Sequence, residues 1–232
     1  VEWYDKEMLG KLIVIDGGDG AGKATQASLL VQRLRAEGQK VETLDFPQYA
    51  QNTFGELIRE CLDGKRGDFM AVDPRIASAL YAADRFESKP RLEEWLKEDK
   101  VVILDRYVSA NMMHQGAKIS DPAVLESFLS WLDHMEHHIF GIPRPDMILY
   151  LAVPNSVRNH LKSQAVSEGK LDAKTKDVAE QDMEHQVRTE ERARSIVANK
   201  NNWIAIDCIA DNKIKSREEI HVLIYEEVKK II

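Results

Sequence analysis

Residues 17–23 read Gly-Gly-Asp-Gly-Ala-Gly-Lys, and no other stretch limits the fold of this 232-residue chain so tightly. Ahead of it, Lys11–Asp16 is a short apolar run that predicts a buried strand. After it, residues 22–37 have helical spacing. A strand, a GxxxxGK loop and a helix in that order make a cradle for a phosphate chain. Glycines without Cβ atoms let consecutive backbone N–H groups curl round an anion, and the helix aims its positive end at the same point. Gly17, Gly18, Gly20, Ala21, Gly22 and Lys23 are therefore expected at a nucleotide, with the Lys23 charge on its β- and γ-phosphates. One position departs from the pattern. The usual hydroxyl after the lysine is absent: Ala24 stands there, and Thr25 comes one place later, about 100° round the helix. Either a metal is held here by phosphates, waters and carboxylates, or the loop binds nucleotide without efficient chemistry.

Short apolar runs alternate with longer amphipathic ones along the rest of the chain. Lys40–Phe46, Val101–Asp105, Met147–Val153 and Trp203–Cys208 read as four more strands. Helical spacing covers Thr53–Asp63, Asp73–Lys97 with a break near Pro90, Pro122–Ile139, Asn155–Ser163, Gln181–Asn199 and Arg217–Ile231. In the third of these, Val124, Leu125, Phe128, Leu132, Met135 and Ile139 share a predicted apolar face. Such alternation predicts one α/β domain over residues 1–232, a five-stranded parallel sheet with helices on both faces. Ligands in such sheets bind beyond the carboxyl ends of the strands. Residues 164–180, with Lys170, Lys174 and Lys176 and little apolar content, predict a mobile lid.

A net charge of −7 argues against a general nucleic-acid binder, which needs a basic face. The longest apolar runs are far too short to span a bilayer. Val1–Asp5 lacks a charged-then-apolar leader pattern. Cys61 and Cys208 stand far apart, outside any metal-binding spacing, and are expected to be free buried thiols. Together these predict a soluble cytoplasmic protein. His134, His137 and His138 have helical spacing but flank an apolar stripe, so an exposed flank is expected rather than a metal site.

Val101-Val102-Ile103-Leu104-Asp105 ends an apolar strand in an acid, the Walker-B pattern, and Arg106-Tyr107 follows, with Asn111 and His114-Gln115-Gly116 beyond. With this, the chain resembles the thymidylate kinase family of P-loop nucleoside monophosphate kinases. Residues 17–26 resemble that family's phosphate loop, Phe46-Pro47-Gln48-Tyr49 its Phe-Pro-x-Tyr, and Tyr81-Ala82-Ala83-Asp84-Arg85 its helix motif. Asp105-Arg106-Tyr107 resembles its Asp-Arg-Tyr, and Pro145-Asp146 its entry to the fourth strand. The resemblance runs over residues 11–232. It implies a P-loop NTPase three-layer sandwich, transfer of the ATP γ-phosphoryl group to dTMP, Mg²⁺ as cofactor, and a homodimer.

Role by role, the resemblance implies that Phe46 and Pro47 form an apolar wall at the dTMP sugar and base. Tyr49 donates to the dTMP phosphate, Tyr81 stacks on thymine, and Arg85 and Asn111 hydrogen-bond the pyrimidine edge. Arg106 bridges donor and acceptor phosphates, where a guanidinium fork suits two oxygens. Asp19 lies between the sugar 3′-hydroxyl and the metal region. His114 takes the place of an aromatic under the sugar, next to Gln115, and Gln48 stands where many members have an arginine. Gly20 and Ala21 leave no arginine in the loop, so the extra cation falls to the lid, with Lys174 favoured over Lys170 and Lys176, and Arg158 on the preceding helix at the ATP. Asp177 and Glu180 resemble an acidic pair at the lid's end. Asp19, Asp105 and Glu180 are the expected metal carboxylates. Arg85 beside Asp84 and Glu87 could equally form a surface ion pair, and a UMP, dUMP or CMP acceptor remains open because thymine differs from uracil by one methyl group.

Overall fold

A computed structural model describes residues 9–168, 182–210 and 213–232. Five parallel strands form one sheet: β1 (Lys11–Gly17), β2 (Val41–Asp45), β3 (Val101–Asp105), β4 (Met147–Ala152) and β5 (Trp203–Asp207), in the order β2-β3-β1-β4-β5. The three central strands are buried along almost their whole length, as covering on both faces requires. Alternate residues feed two cores. Leu12, Val14, Val102, Leu104 and Ile148 face one, packed under α3 (Pro74–Lys97), α4 (Val108–His114), α5 (Pro122–Asp133) and α7 (Met183–Asn199). Ile13, Ile15, Ile103 and Leu149 face the other, under α1 (Lys23–Ala36) and α8 (Arg217–Val228). The expected three layers are present.

Several details differ from the sequence reading. Helix α3 runs unbroken through Pro90, whose position is exposed, so water can satisfy the carbonyl that loses its donor. Residues 134–139 continue α5 as a π-helix; its wider i→i+5 turn carries Ile139 off the apolar stripe, and Val124 also stands exposed in the first turn of α5. Helix α6 (Asn155–Ser167) extends past Ser163 into the start of the expected lid. A short antiparallel pair, β6 (Ile209–Ala210) and β7 (Lys213–Ile214), follows β5, and α4 was not anticipated.

The loop after β2 is pinned to α3 by one buried carboxylate. Asp84 accepts from the Gln48 backbone N–H at 3.1 Å and the Asn52 side-chain amide at 2.8 Å. Asn52 then begins α2 (Thr53–Leu62), which packs along α3. Asp84→Ala leaves the Gln48 N–H buried and unpaired, at about 1–3 kcal/mol, whereas the Asn52 amide keeps the Asp84 carbonyl and Ser88 Oγ. Thermal denaturation should show the midpoint falling by about 2–4 °C per kcal/mol lost.

Candidate active site

The carboxyl ends of β1, β2 and β3 open into a cavity of about 570 Å³. On one side lies the loop after β1. Gly22 precedes α1 with φ of 91°, a left-handed conformation that an L side chain would strain. The turn brings the Lys23 ammonium back over the loop, where it donates to the carbonyls of Gly17 and Gly18 at 3.0 and 3.1 Å and stands 3.8 Å from Asp19. Asp19, Gly20, Gly22, Lys23, Ala24 and Thr25 all line the cavity. Gly17, Gly18 and Ala21 lie behind, forming the backbone of the turn.

Arg158 also lies behind the loop rather than on the cavity. Its guanidinium donates to the Val153 carbonyl at 3.0 Å and the Asp19 carbonyl at 3.3 Å, and pairs with Glu190 at 3.5 Å. It presses so closely on Gly18 that a Cβ there would stand 2.2 Å from the guanidinium carbon. Arg158 is expected at the ATP, and here its Nε and Nη1 donate to backbone carbonyls, so it braces the loop from behind. Lys170, Lys174, Lys176, Asp177 and Glu180 lie outside the described residues.

Arg106 occupies the centre. Its backbone φ of 65° is left-handed, a costly conformation for arginine, held by an N–H bond to the Ile15 carbonyl at 3.0 Å. That turn swings the guanidinium onto the Asp19 carboxylate and to 3.5 Å from the His114 ring. Burial alone would push the guanidinium toward neutrality, but Asp19, Asp16 and Asp105 outweigh it and raise its pKa. Lys23 is shifted the other way, by burial and then by the Arg106 charge. Asp105 lines the cavity between the two cations; burial raises its pKa against the pull of Lys23 and Arg106. Its Oδ1 is buried without a hydrogen-bond partner among the described residues. Behind it, fully buried Asp16 accepts from Ser109 Oγ at 2.5 Å and the Gly17 N–H at 2.8 Å.

The far end of the cavity is walled by Phe46, Pro47, Tyr49, Tyr81, Arg85, Asn111, His114 and Gln115, all expected there. Arg85 forms no surface ion pair with Asp84 or Glu87. It is buried, and Glu136 of the π-helix grips it. Gln48 turns away, donating to Asp45 and accepting from Arg91 at 3.3 Å. Arg59, Lys118 and His185 also line it, and the sequence reading missed all three. The Arg59 guanidinium lies 3.9 Å from the Tyr49 ring centroid. Its sequence signal was only its place beside buried Ile58 on a short amphipathic helix. Of the three clustered histidines, His134 and His138 are exposed and stack on each other, while His137 bonds the Ile142 carbonyl at 2.7 Å.

Burial, reinforced by Arg106, pushes the His114 imidazole down to about 3. Between its ordinary 6.5 and that value, the unfolded chain holds one more proton here than the folded one. This residue's contribution to stability is therefore full above its ordinary pKa and is lost as pH falls. His114→Gln should flatten the decline in urea-derived stability from about pH 6 to about pH 4 by about 1.4 kcal/mol per pH unit.

A family model described as thymidylate kinase matches residues 15–220. The thymidylate kinase of Mycobacterium tuberculosis is 36% identical over 142 residues, which are 61% of this chain and 65% of that protein. The human thymidylate kinase is 34% identical over 142 residues, 61% of this chain and 60% of its own length. The match thus spans less than two thirds of either relative. The structure of thymidylate kinase from Candida albicans superposes with a TM-score of 0.71, covering 95% of this chain and 92% of that one at 21% identity, which shows a shared fold.

Proposed function

The chain belongs to the thymidylate kinase family, and from that premise we propose that it transfers the γ-phosphoryl group of ATP to dTMP. One observation carries the reading: Arg106 stands in a single cavity between the Lys23 loop and the Tyr49–Arg85–Asn111 wall. A donor phosphate chain on the loop and an acceptor phosphate beside Tyr49 would then meet at one guanidinium. Phosphoryl transfer asks a protein for alignment and charge neutralisation more than for covalent chemistry. Lys23 and the loop N–H groups hold ATP; Arg106 exchanges its Asp19 contact for phosphate oxygens of both substrates. Tyr49, with Arg59 over its ring, faces the acceptor phosphate. No general base is needed, because a phosphate monoester is already an anionic nucleophile.

Mg²⁺ fits the residues present. The unpartnered buried oxygen of Asp105 and the carboxylate of Asp19 are hard oxygen donors beside the loop. When bound, the ion offsets charge on the β- and γ-phosphates. The carboxylates take the place of the hydroxyl that Ala24 lacks. A homodimer is also part of this reading: Phe54 of α2 and Phe86 of α3 are exposed on neighbouring helices, joined where Glu87 accepts from the Thr53 and Phe54 N–H groups. Two buried free thiols suit a reducing cytoplasm. No described helix is long and apolar enough to cross a membrane.

A panel of dTMP, dUMP, UMP and CMP with ATP and Mg²⁺, read as ADP release, tests the assignment. The fastest turnover is expected with dTMP, and no turnover with any acceptor would leave an inert nucleotide-binding module. Arg106→Ala should cut kcat by about 10²–10³-fold with the fold intact; near wild-type kcat would remove the bridging role. Asp105→Asn should raise the Mg²⁺ concentration needed for half-maximal rate, and an unshifted Mg²⁺ titration would exclude Asp105 as a ligand.

A further inference from the structure

Glu136 is wholly buried, yet it is not part of the cavity wall. It sits in the π-helical turn after α5 and faces two residues that are: Arg85 of α3 and Asn111 of α4. Its Oε2 accepts from Arg85 Nε at 3.0 Å, and its Oε1 accepts from Arg85 Nη2. The same Oε1 lies 3.4 Å from Asn111 Nδ2, which also reaches the Ser78 carbonyl at 3.3 Å. A carboxylate accepts and never donates, so it pulls the amide nitrogen of Asn111 toward itself.

We propose that Glu136 is a positioning residue that sets the hydrogen-bonding pattern shown to the acceptor base. The inference rests on the reading of the cavity as a pyrimidine monophosphate site. With Nε and Nη2 engaged by Glu136, Arg85 keeps Nη1 as its donor for a ligand, held among the described residues by a long 3.4 Å contact to the Tyr107 carbonyl. With Nδ2 turned to Glu136 and Ser78, Asn111 presents its Oδ1, an acceptor. One donor beside one acceptor complements a 4-oxo pyrimidine, which offers the O4 acceptor and the N3–H donor. A 4-amino pyrimidine offers the reverse, and would set donor against donor and leave the buried amide oxygen unpaired, the kind of mismatch that discriminates strongly. Glu136 thus selects the base through Arg85 and Asn111 without touching it.

Glu136→Gln keeps the shape but adds a donor. Its amide cannot satisfy both Arg85 nitrogens and accept from Asn111, so the arginine loosens and the asparagine is free to turn over. Titration calorimetry with dTMP and dCMP, beside steady-state kinetics with ATP, reads the effect. We expect the dTMP Kd to rise about tenfold and the preference for dTMP over dCMP to fall about tenfold, with kcat at saturating dTMP changed by less than about twofold. Glu136→Asp keeps the charge at a shorter reach and should fall between the two. A Gln variant that melts cooperatively and retains wild-type affinity and preference overturns the proposal. Should the Gln variant not fold, the same two ratios for the Asp variant decide, and unchanged values overturn it. A wild type that binds dTMP while the variants behave normally leaves the site reading standing and removes only Glu136. A wild type that binds neither nucleotide removes both.

Discussion

Two neighbouring cations, one buried and one half-buried, set the terms for everything around them. Lys23 is buried and Arg106 half-buried just beyond β1 and β3, and a charge drawn from water is costly unless it is paired. The chain surrounds them with Asp16, Asp19 and Asp105, and with the carbonyls of Gly17 and Gly18. Each partner is delivered by backbone that cannot easily be otherwise arranged. The loop carries Asp19 over Lys23, and the left-handed turn at Arg106 aims its side chain inward. The Arg106–Asp19 pair is the closest of these matches between cation and carboxylate.

The far end of the cavity follows a different logic, built largely from helices. Adjacent residues of α3 do separate work. Asp84 ties the loop after β2 to the helix, and Arg85 turns inward to the cavity. Position 48 shows how the surroundings absorb a change in that loop. Gln48 is drawn into bonds with Asp45 and Arg91, so it offers the cavity nothing, while Arg59 from the next helix reaches the same neighbourhood over Tyr49.

Much of this was legible in the sequence because it rests on local rules. The loop after β1 and the five parallel strands follow from glycine placement and from apolar runs that alternate with helical spacing, though not the order of the strands in the sheet. Every expected acceptor-site residue lines the cavity, since the motifs that carry them close strands or open helices at the same end of the sheet. What the sequence hid depends on partners distant along the chain. Nothing beside Arg158 shows that it faces Gly18, 140 residues away, and nothing beside Glu136 shows that its partner is Arg85, 51 residues earlier. The π turn was equally hidden: apolar periodicity assumes 3.6 residues per turn, so a local widening reads as an ordinary helix with one stray isoleucine.

The central strands have a consequence of their own. In β1, β3 and β4, apolar side chains face both layers, so a strand shifted by one residue against its neighbour would bury nearly as much carbon as before. The alignment of Ile15 with Asp105 is therefore weakly specified by the oily part of the sheet and strongly specified by what lies at its rim. A slip would send the Asp105 carboxylate into the opposite layer and pull Arg106 off its carbonyl. Helix content and compactness would barely register the error, while the charge cluster would be dismantled. A misaligned sheet would thus be read more plainly in the charge cluster than in helix content or size.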